Sequence, residues 1–308
     1  MKYSAVWRIG RLGSFEKPGL HACRPTVDGT VRAKDLTQDS NLKAKHNNSI
    51  ACSALHLRQQ FFTMSDDQVK RRQTESQVEA IETKIRETQP LTSQKQEIST
   101  LRSNYEEGSN FDKGVLHLTE SYTAIRTVRG DGNCYYRAFL YSLCETTMEL
   151  KRIIKVIEDS IDCVEKCGYE RFTIETFWEE LLDFLKSLPK DFHDELNQEN
   201  AISDYASWYM RILTAVHLKS DPERFVHFLE GDYFDVPTFC QREVEPMGKE
   251  CGMVQVLALA ESLGVQVEIE YLDGRDTKPT KHSFGPEDTK TTLTLLYRPG
   301  HYDILYKS

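Results

Sequence analysis

The sequence predicts an α+β fold, a lobe of helices followed by a small β-sheet. Between residues 134 and 264 the apolar residues recur mostly at helical spacing, whereas three short segments after residue 264 alternate apolar and polar residues. Helices first and strands last are typical of the α+β class, with the sheet at one end of the domain. A chain of 308 residues can hold one large domain with appendages, or two modest ones.

The composition is that of an ordinary globular protein, with 39% hydrophobic and 28% charged residues. No window approaches the roughly 18 uncharged apolar residues of a membrane helix, so no membrane association is predicted. The first residues lack the apolar core of a secretory signal, and the eight cysteines follow no framework spacing. We therefore expect reduced thiols and a cytoplasmic location, with the nucleus as a second compartment.

The net charge of −9 hides a division between two parts of the chain. Residues 1–63 contain ten Lys/Arg and four Asp/Glu, a net of +6, so the remainder has 29 basic and 44 acidic residues, a net of −15. An acidic body argues against nucleic acid as the main partner. It suits a partner with a basic surface, and it is equally compatible with a solvated acidic face.

Three parts are predicted along the chain: a leader of residues 1–63, a helical arm of residues 64–118 and a main domain of residues 119–308. The leader has no apolar periodicity and is rich in small polar and basic residues. Such a composition predicts disorder. A mitochondrial presequence is an alternative, and a third is that translation begins at Met64. We expect the leader to be dispensable for stability and turnover.

The arm is predicted to begin with a helix over residues 65–88 that ends before Pro90. Its apolar stripe is narrow and consists of Val78, Ile81 and Ile85. The pattern Ser93-x-x-Gln96 is typical of a capping box and predicts a second helix, whose stripe would be Ile98, Leu101 and Tyr105. Helices with such narrow stripes pack sideways on a domain or bind a partner.

The main domain begins with a short extended stretch, residues 124–128, that leads into the loop RGDGN. The next segment, CYYRAFLYSLCE, predicts a helix with Ala138, Phe139 and Leu143 facing inward. Further helices are predicted for MELKRIIKVIEDSIDCVEK, TIETFWEELLDFLKSL, SDYASWYMRILTAVHL, ERFVHFLEG and VQVLALAESLG, the last ended by Gly264. The predicted strands are VQVEIEYL, TLTLLYR and YDILY.

The first segment that indicates chemistry is residues 130–139, GDGNCYYRAF. Its glycine-flanked turn places Cys134 on the first turn of a helix, where unpaired N–H groups and the helix dipole favour negative charge. The loop backbone can direct several N–H groups to one point beside the sulfur. A thiolate next to an oxyanion hole is what acyl transfer requires.

The second segment is residues 298–303, RPGHYD, between two predicted strands. Pro299 and Gly300 predict a tight turn that holds His301 at the start of a strand. Asp303 lies two residues further, so both side chains point to the same face of an extended strand. The carboxylate can then accept a hydrogen bond from the imidazole and fix its tautomer. The order cysteine, then histidine 167 residues later (301 − 134), agrees with a Cys-His hydrolase.

Plainer interpretations exist for each residue alone. A cysteine at a helix start is usually structural, and a strand histidine is usually a satisfied core or surface residue; the two segments together, each with its turn, favour catalysis. Cys163 and Cys167 have a CxxxC spacing that could suggest a metal, but a closed zinc site needs four ligands and no second pair lies nearby. We expect two half-buried helix residues there, and no metal or cofactor.

Both segments resemble known family motifs. DGNCYYRAF resembles the nucleophile motif of the ovarian-tumour (OTU) family of deubiquitinating cysteine proteases, and YRPGHYDILY resembles its histidine motif. FCQREVEPMGKE, SDYASWYMRILTA and the helix before Pro90 are similar to otubains in particular. The similarity covers residues 70–308. Gly130 stands where many otubains have proline, and residues 251–253, Cys-Gly-Met, replace a more polar stretch near the distal ubiquitin surface.

The resemblance implies a papain-like OTU cysteine-protease fold with an N-terminal helical arm, and a ubiquitin-specific isopeptidase activity. It implies that Cys134 is the nucleophile, His301 the general base and Asp303 the residue that orients the base. Asp131 corresponds to the oxyanion-loop aspartate, whose backbone is expected to matter more than its carboxylate. No cofactor is implied.

The implied partners are ubiquitin and ubiquitin chains, and also ubiquitin-conjugating enzymes. Otubains with an arm use it to hold the proximal ubiquitin and prefer the linkage that marks proteins for the proteasome. Two alternatives remain: a non-catalytic regulator that binds ubiquitin or conjugating enzymes, and a thiol hydrolase for a ubiquitin-like modifier. The presence of Cys134, His301 and Asp303 favours an enzyme over the first.

Overall fold

The computed structural model describes residues 66–308, apart from residues 147, 148 and 230. The predicted leader, residues 1–63, lies outside the described residues, as does the side chain of Val78 in the arm. The α-helices of the described chain are α1 (Asp66–Thr88), α2 (Asn110–Leu118), α3 (Cys134–Glu145), α4 (Leu150–Lys166), α5 (Arg171–Lys186), α6 (His193–Leu196), α7 (Ile202–Ser220), α8 (Pro222–Phe225), α9 (Val236–Phe239) and α10 (Met253–Leu263).

Shorter helical turns lie between these helices. They are the 3₁₀ turns Ile98–Asn104 and Val226–Phe228 and the π-helical turn Cys240–Val244. The strands are β1 (Gln96–Glu97), β2 (Tyr122–Arg126), β3 (Gln266–Tyr271), β4 (Thr280–Phe284), β5 (Thr292–Arg298) and β6 (His301–Lys307).

The strands form one mixed sheet in the order β1-β2-β6-β5-β3-β4. β3 and β5 pair in parallel, and the other neighbouring strands pair antiparallel. β6 lies between β2 and β5, so the strand that begins at His301 is central and its backbone is bonded on both sides. Because β6 runs antiparallel to β2, the first residues of β6 lie next to the loop that follows β2.

The main core lies between one face of the sheet and the helices. Helix α3 runs through it and is buried from Cys134 to Cys144, including the predicted inward residues Ala138, Phe139 and Leu143. A second cluster on the other face joins the 3₁₀ turn, α2 and the sheet; its buried residues are Ile98, Leu101, Val115, Leu118, Tyr122, Ile125, Leu272, Leu296 and Leu305. The architecture confirms the predicted α+β class.

One local prediction is wrong, and two elements were not predicted. Ser93 does not cap a helix, because its hydroxyl accepts from the N–H of Thr127 at 2.8 Å; the segment after it forms β1 and a 3₁₀ turn instead. Helix α2 was not predicted, although Ser109 accepts from the N–H of Asp112 as an N-cap. Strand β4, which is mostly exposed, was also missed because it lacks apolar alternation.

Apolar residues on both sides of the predicted boundary at residues 118/119 share the second cluster, so packing is continuous across this boundary. The division into arm and main domain stays a prediction. Cys163 and Cys167 are exposed rather than half-buried. Among the described residues, no group of three or more His, Cys, Asp or Glu side chains could hold a metal ion. None of the helices described is long and apolar enough to span a membrane.

Candidate active site

The loop before α3 is tightly enclosed. Gly132 has a φ of +76°, and a Cβ added there would lie 2.1 Å from the carbonyl oxygen of Gly248. Only glycine fits both the left-handed conformation and this close approach. Cys134 follows as the first residue of α3 and is only 3% exposed. The N–H groups of Gly132 and Cys134 make no hydrogen bond to any residue that the structure describes, and they are therefore free to bind an oxyanion.

His301 contacts two of the predicted site residues. Its Nε2 donates to Oδ1 of Asp303 at 2.9 Å, and a side-chain hydrogen bond joins the ring to the thiol of Cys134. Because Nε2 is occupied by the carboxylate, Nδ1 is the nitrogen that faces the sulfur. Burial alone would lower the pKa of His301, but the hydrogen bonds to Asp303 and Cys134 raise it to about 9. The imidazolium is therefore the stable form of His301 at neutral pH.

Asp303 is completely buried and fully paired. Oδ1 also accepts from the N–H of Val128 at 3.0 Å, and Oδ2 accepts from Nε and Nη2 of Arg298 at 3.0 and 2.5 Å. Burial would raise the pKa of this carboxyl group, but the hydrogen bond and charge of His301, with the charge of Arg298, hold it below its ordinary value. Asp303 is thus a fixed negative charge behind the imidazole.

Asp131 organises the loop through its carboxylate. Oδ1 accepts from the N–H of Asn133 at 2.9 Å, and Oδ2 accepts from Nη2 of Arg137 at 2.7 Å. Arg137 is buried on α3 and also pairs with Asp204. The family resemblance implies that the backbone of Asp131 matters more than its carboxylate. The contacts described here give the carboxylate a structural role of its own.

Three cavities surround these residues. The cysteine cavity, about 680 Å³, is lined by Cys134 together with Tyr233, Cys251, Met253 and Tyr302 among others. The arm cavity, also about 680 Å³, lies between α1 and the loop and includes Ile81, Ile85, Gly130 and Asp131. The histidine cavity, about 650 Å³, borders His301, Arg298 and Tyr105. A substrate can therefore approach the sulfur and the imidazole from different sides.

The two departures from the otubain pattern, at Gly130 and at residues 251–253, both lie beside the candidate site. A Cβ at Gly130 would lie 3.6 Å from Nδ1 of His301, an ordinary contact, so a larger residue fits there without strain. Cys251 and Met253 line the cysteine cavity, and the carbonyl of Cys251 accepts from the hydroxyl of Tyr302 at 2.9 Å. The substituted stretch 251–253 therefore forms part of the wall beside the nucleophile.

The predicted arm residues lie on one side of the site. Ile81 is 59% exposed, and Ile85 is half-buried. Arg129, which comes just before the loop, caps the end of α1: its Nε donates to the carbonyl of Gln89 at 2.9 Å and its Nη2 to that of Arg86 at 3.3 Å. Its Nη1 also pairs with Glu199 at 2.6 Å.

Four arginines that bind residues of the site or of the arm were not predicted from the sequence: Arg129, Arg137, Arg211 and Arg298. Arg298 lies inside the RPGHYD segment, so its proximity to Asp303 could have been proposed. Arg211 had a weaker signal, a single charged residue between Met210 and Ile212 in a helix whose neighbours are apolar. A buried charge must be paired or hydrogen-bonded, so such a residue indicates a polar structure nearby.

Comparison with known proteins agrees with the geometry. A family model described as Peptidase C65 Otubain matches residues 84–307. The ubiquitin thioesterase OTUB1 of Homo sapiens is 37% identical over 242 residues, which are 75% of this chain and 89% of the human protein. The ubiquitin thioesterase OTUB2 of Homo sapiens is 31% identical over 226 residues, 70% of this chain and 95% of that protein.

A solved complex of OTUB1 with ubiquitin aldehyde and UBCH5B~Ub superposes with a TM-score of 0.71 at 27% identity. The match covers 78% of this chain and 99% of the matched chain. The family that the two motifs predicted is confirmed, and the chain belongs to the otubains, peptidase family C65.

Proposed function

We propose that this protein is a deubiquitinating isopeptidase that cleaves ubiquitin chains through a Cys-His-Asp mechanism. The observation that carries the proposal is the imidazole of His301, which contacts the thiol of Cys134 on one side and the buried carboxylate of Asp303 on the other. The names of the relatives, which are ubiquitin thioesterases, support ubiquitin as the modifier.

In the proposed reaction the sulfur of Cys134, as a thiolate paired with the imidazolium of His301, attacks the C-terminal carbonyl carbon of the distal ubiquitin. The N–H groups of Gly132 and Cys134 bind the oxyanion that forms. His301 gives its proton to the departing lysine amine, and the thioester remains. A water molecule, deprotonated by His301, then attacks the thioester and releases ubiquitin with a free carboxylate. Asp303 keeps the ring oriented throughout.

The cysteine cavity suits the extended C-terminal tail of the distal ubiquitin. Gly231, Gly252 and Gly300 lie in its wall, and glycines let a substrate backbone approach closely. At Gly300 the neighbouring carboxylate of Glu250 is so near that an added Cβ would lie 3.1 Å from it. The cavity ends at Cys134, where the scissile carbonyl must be placed.

The arm cavity suits the proximal ubiquitin. Ile81 and Ile85 present an apolar surface on α1 at the edge of this cavity, close to the catalytic loop. Neighbouring apolar side chains that line a cavity, unlike a single exposed one, are typical of a binding surface. We propose that this surface selects the proteasome-targeting linkage, as the family resemblance implies.

The test is cleavage of a full panel of di-ubiquitin linkages, with a ubiquitin C-terminal electrophile beside the same electrophile on ubiquitin-like modifiers. The proposal predicts covalent labelling of Cys134 by the ubiquitin probe alone and preferential cleavage of the proteasome-targeting linkage. Labelling by another modifier but not by ubiquitin would contradict the substrate. Equal cleavage of all linkages would contradict only the selectivity.

A second candidate function is the regulation of ubiquitin-conjugating enzymes. This function is favoured by the solved structure of a relative, OTUB1, in complex with ubiquitin aldehyde and with UBCH5B~Ub, a conjugating enzyme that carries ubiquitin. A Cys134→Ala variant distinguishes the two functions, because it cannot cleave chains. If this variant still slows ubiquitin transfer from a charged conjugating enzyme, the second function is present in addition to the first; if transfer is unchanged, it is absent.

A further inference from the structure

Arg211 is a buried cation that contacts both walls of the catalytic loop from inside the helical lobe. It lies on α7, has no exposed surface, and stacks over the ring of Tyr136 at 4.5 Å. Its Nη2 donates to the carbonyl of Gly132 and to Oδ1 of Asn133, both at 2.9 Å. The side chain therefore binds the two residues that immediately precede the nucleophile.

The same guanidinium binds the opposite wall. Nη2 also donates to the carbonyl of Lys249 at 2.7 Å and Nη1 to that of Val244 at 3.0 Å. Asn133 connects the two walls directly, since its Oδ1 also accepts from the N–H of Gly248 at 3.0 Å. The segment 244–249 thus cannot move away from the catalytic loop without breaking bonds to Arg211.

All four acceptors are neutral oxygens. Among the residues that the structure describes, no carboxylate lies within ion-pair distance of Arg211, and its Nε has no hydrogen-bond partner. Burying a cation without a counterion is costly. One apolar residue of similar volume would cost less, so stability alone does not account for an arginine here.

The contact to Gly132 has a consequence for the oxyanion site. A peptide unit is planar, so its orientation is fixed when both ends are bound. Arg211 binds the carbonyl of the peptide between Gly132 and Asn133, and Asp131 accepts from its N–H. Glycine at positive φ otherwise permits this peptide to rotate. A rotation of this peptide that the dihedral angles on either side did not fully compensate would displace the neighbouring N–H groups of Gly132 and Cys134.

We propose that Arg211 is a positioning residue for the hydrolysis proposed above: it fixes the peptide between Gly132 and Asn133 and thereby holds the oxyanion-binding N–H groups in place. Its effect falls on the chemical step, because the donors it positions bind the transition state more strongly than the ground state. Among the described residues, Arg211 makes no hydrogen bond to Cys134 or His301, so the pairing of these two residues persists without it.

The experiment compares two reactions of Cys134 in wild type and Arg211→Met. Hydrolysis of a fluorogenic ubiquitin C-terminal amide needs the oxyanion site, whereas alkylation by iodoacetamide, followed at Cys134 by mass spectrometry, needs only the sulfur and its pairing with His301. We expect kcat to fall about tenfold to a hundredfold, less than the roughly 10²–10³ typical of losing an oxyanion donor itself. The alkylation rate, its pH profile and KM should stay within about twofold of wild type.

Two variants complete the design. Arg211→Lys keeps the charge but can reach fewer acceptors, and should recover part of kcat. Arg152→Met is the matched control, because Arg152 also donates to main-chain carbonyls, those of Leu263 and Gly264, but its hydrogen bonds among the described residues include none to residues 130–134. It should lower the melting temperature and leave kcat unchanged.

The outcomes separate the proposals. If the wild type fails to hydrolyse the ubiquitin amide, the proposed function is wrong. In that case the alkylation rates still test Arg211, because a difference between wild type and Arg211→Met would reject its proposed role. If wild type is active and kcat and alkylation fall together, Arg211 is only structural. If Arg211→Met does not fold, Arg211→Gln and Asn133→Ala replace it; an unchanged kcat in both overturns the proposal.

Discussion

The catalytic loop and helix α1 border the same cavity but are held in opposite ways. The loop, residues 130–134, is fixed by side chains that are almost completely buried, Arg137 at 3% and Arg211 at 0% exposed. The described side chains of α1 are exposed apart from the half-buried Ile85, and the helix is capped at its C-terminal end by Arg129.

The difference shows how recognition and chemistry place different demands on a fold. An oxyanion site works only when its donors are fixed before the substrate arrives, because reorganisation would add to the barrier. A surface that binds a large protein gains from apolar area and tolerates movement. Substitutions in the loop should therefore lower kcat, and substitutions in α1 should raise KM.

The largest effect is expected from Cys134→Ala. Without the sulfur no thioester forms, so turnover of di-ubiquitin should fall by about 10⁴-fold or more, while ubiquitin binding, measured by calorimetry, persists. Cys163→Ala, which removes an exposed thiol far along α4, is the control and should be fully active. Residual turnover near the wild-type rate in the first variant would assign the chemistry to another group.

His301→Ala should be nearly as damaging, on the order of 10³-fold or more in kcat, because thiol deprotonation and protonation of the leaving amine both depend on the ring. Alkylation of Cys134 at neutral pH should also slow, since the thiolate loses its imidazolium partner. Normal alkylation in this variant would mean that the ring does not control the sulfur.

Asp303→Asn tests the fixed charge behind the ring. Because the carboxylate is buried and fully paired, we expect kcat to fall on the order of 10²–10³-fold. The asparagine amide has one oxygen and one N–H₂ group. In one orientation the N–H₂ group faces the donors of Arg298, and in the other it faces the donors of Val128 and His301, so one hydrogen-bonded position is always lost. A loss below about threefold would contradict the role of the carboxylate.

The same variant should shift the pH profile in a definite direction. The pKa of His301 is raised to about 9, so the imidazolium is present below that pH and the alkaline limb of kcat/KM should lie near pH 9. Without the carboxylate, burial lowers the pKa of the ring and only the contact with Cys134 still raises it, so the limb should move to lower pH. Measurement of kcat/KM between about pH 5 and about pH 10 decides this.

The smallest effect is expected in the arm. Ile81→Ser should raise KM for di-ubiquitin about tenfold, because burial of one isoleucine contributes roughly 1.5 kcal/mol. Reaction with a single-ubiquitin electrophile, which needs only the distal site, should not change. Phe172→Ser removes an even more exposed apolar side chain from α5 and is the control. Equal losses toward probe and chain would show that α1 belongs to the catalytic fold.

Arg129→Met extends this comparison to the cap of α1. Its loss removes the donors to the carbonyls of Arg86 and Gln89 and the pair with Glu199. KM for di-ubiquitin should rise several-fold, because the end of α1 is less firmly placed, and kcat should be nearly unchanged. A fall in kcat without a change in KM would mean that Arg129 supports the catalytic loop rather than the arm.

The two motifs were predictable because their chemistry is local in sequence. A glycine turn before a cysteine and an H-x-D spacing on a strand each specify geometry within a few residues, and the fold brought Cys134, His301 and Asp303 together as expected. The family and the α+β class followed from the same signals. Residue spacing also gave the bounds of α3 and α7 to within a residue or two.

What was missed depends on contacts between distant segments. The position of Arg211 beside the loop joins residues 78 and 79 apart in sequence, and no local pattern encodes such a pairing. Strand β4 and the 3₁₀ turn after β1 form because neighbouring elements supply their partners, which overrides weak local propensity. Sequence motifs therefore located the reacting groups but not the residues that hold them in position.

The central place of β6 in the sheet has a consequence for synthesis. β2 and β5 are joined only through β6, whose first residue is His301. At about 5–20 residues per second, translation of the 167 residues that separate Cys134 from His301 takes about 8–33 s. During that time the nascent chain carries Cys134 without His301. The mechanism proposed above therefore predicts that the chain stays inactive on the ribosome until the strand that completes its sheet has emerged and paired.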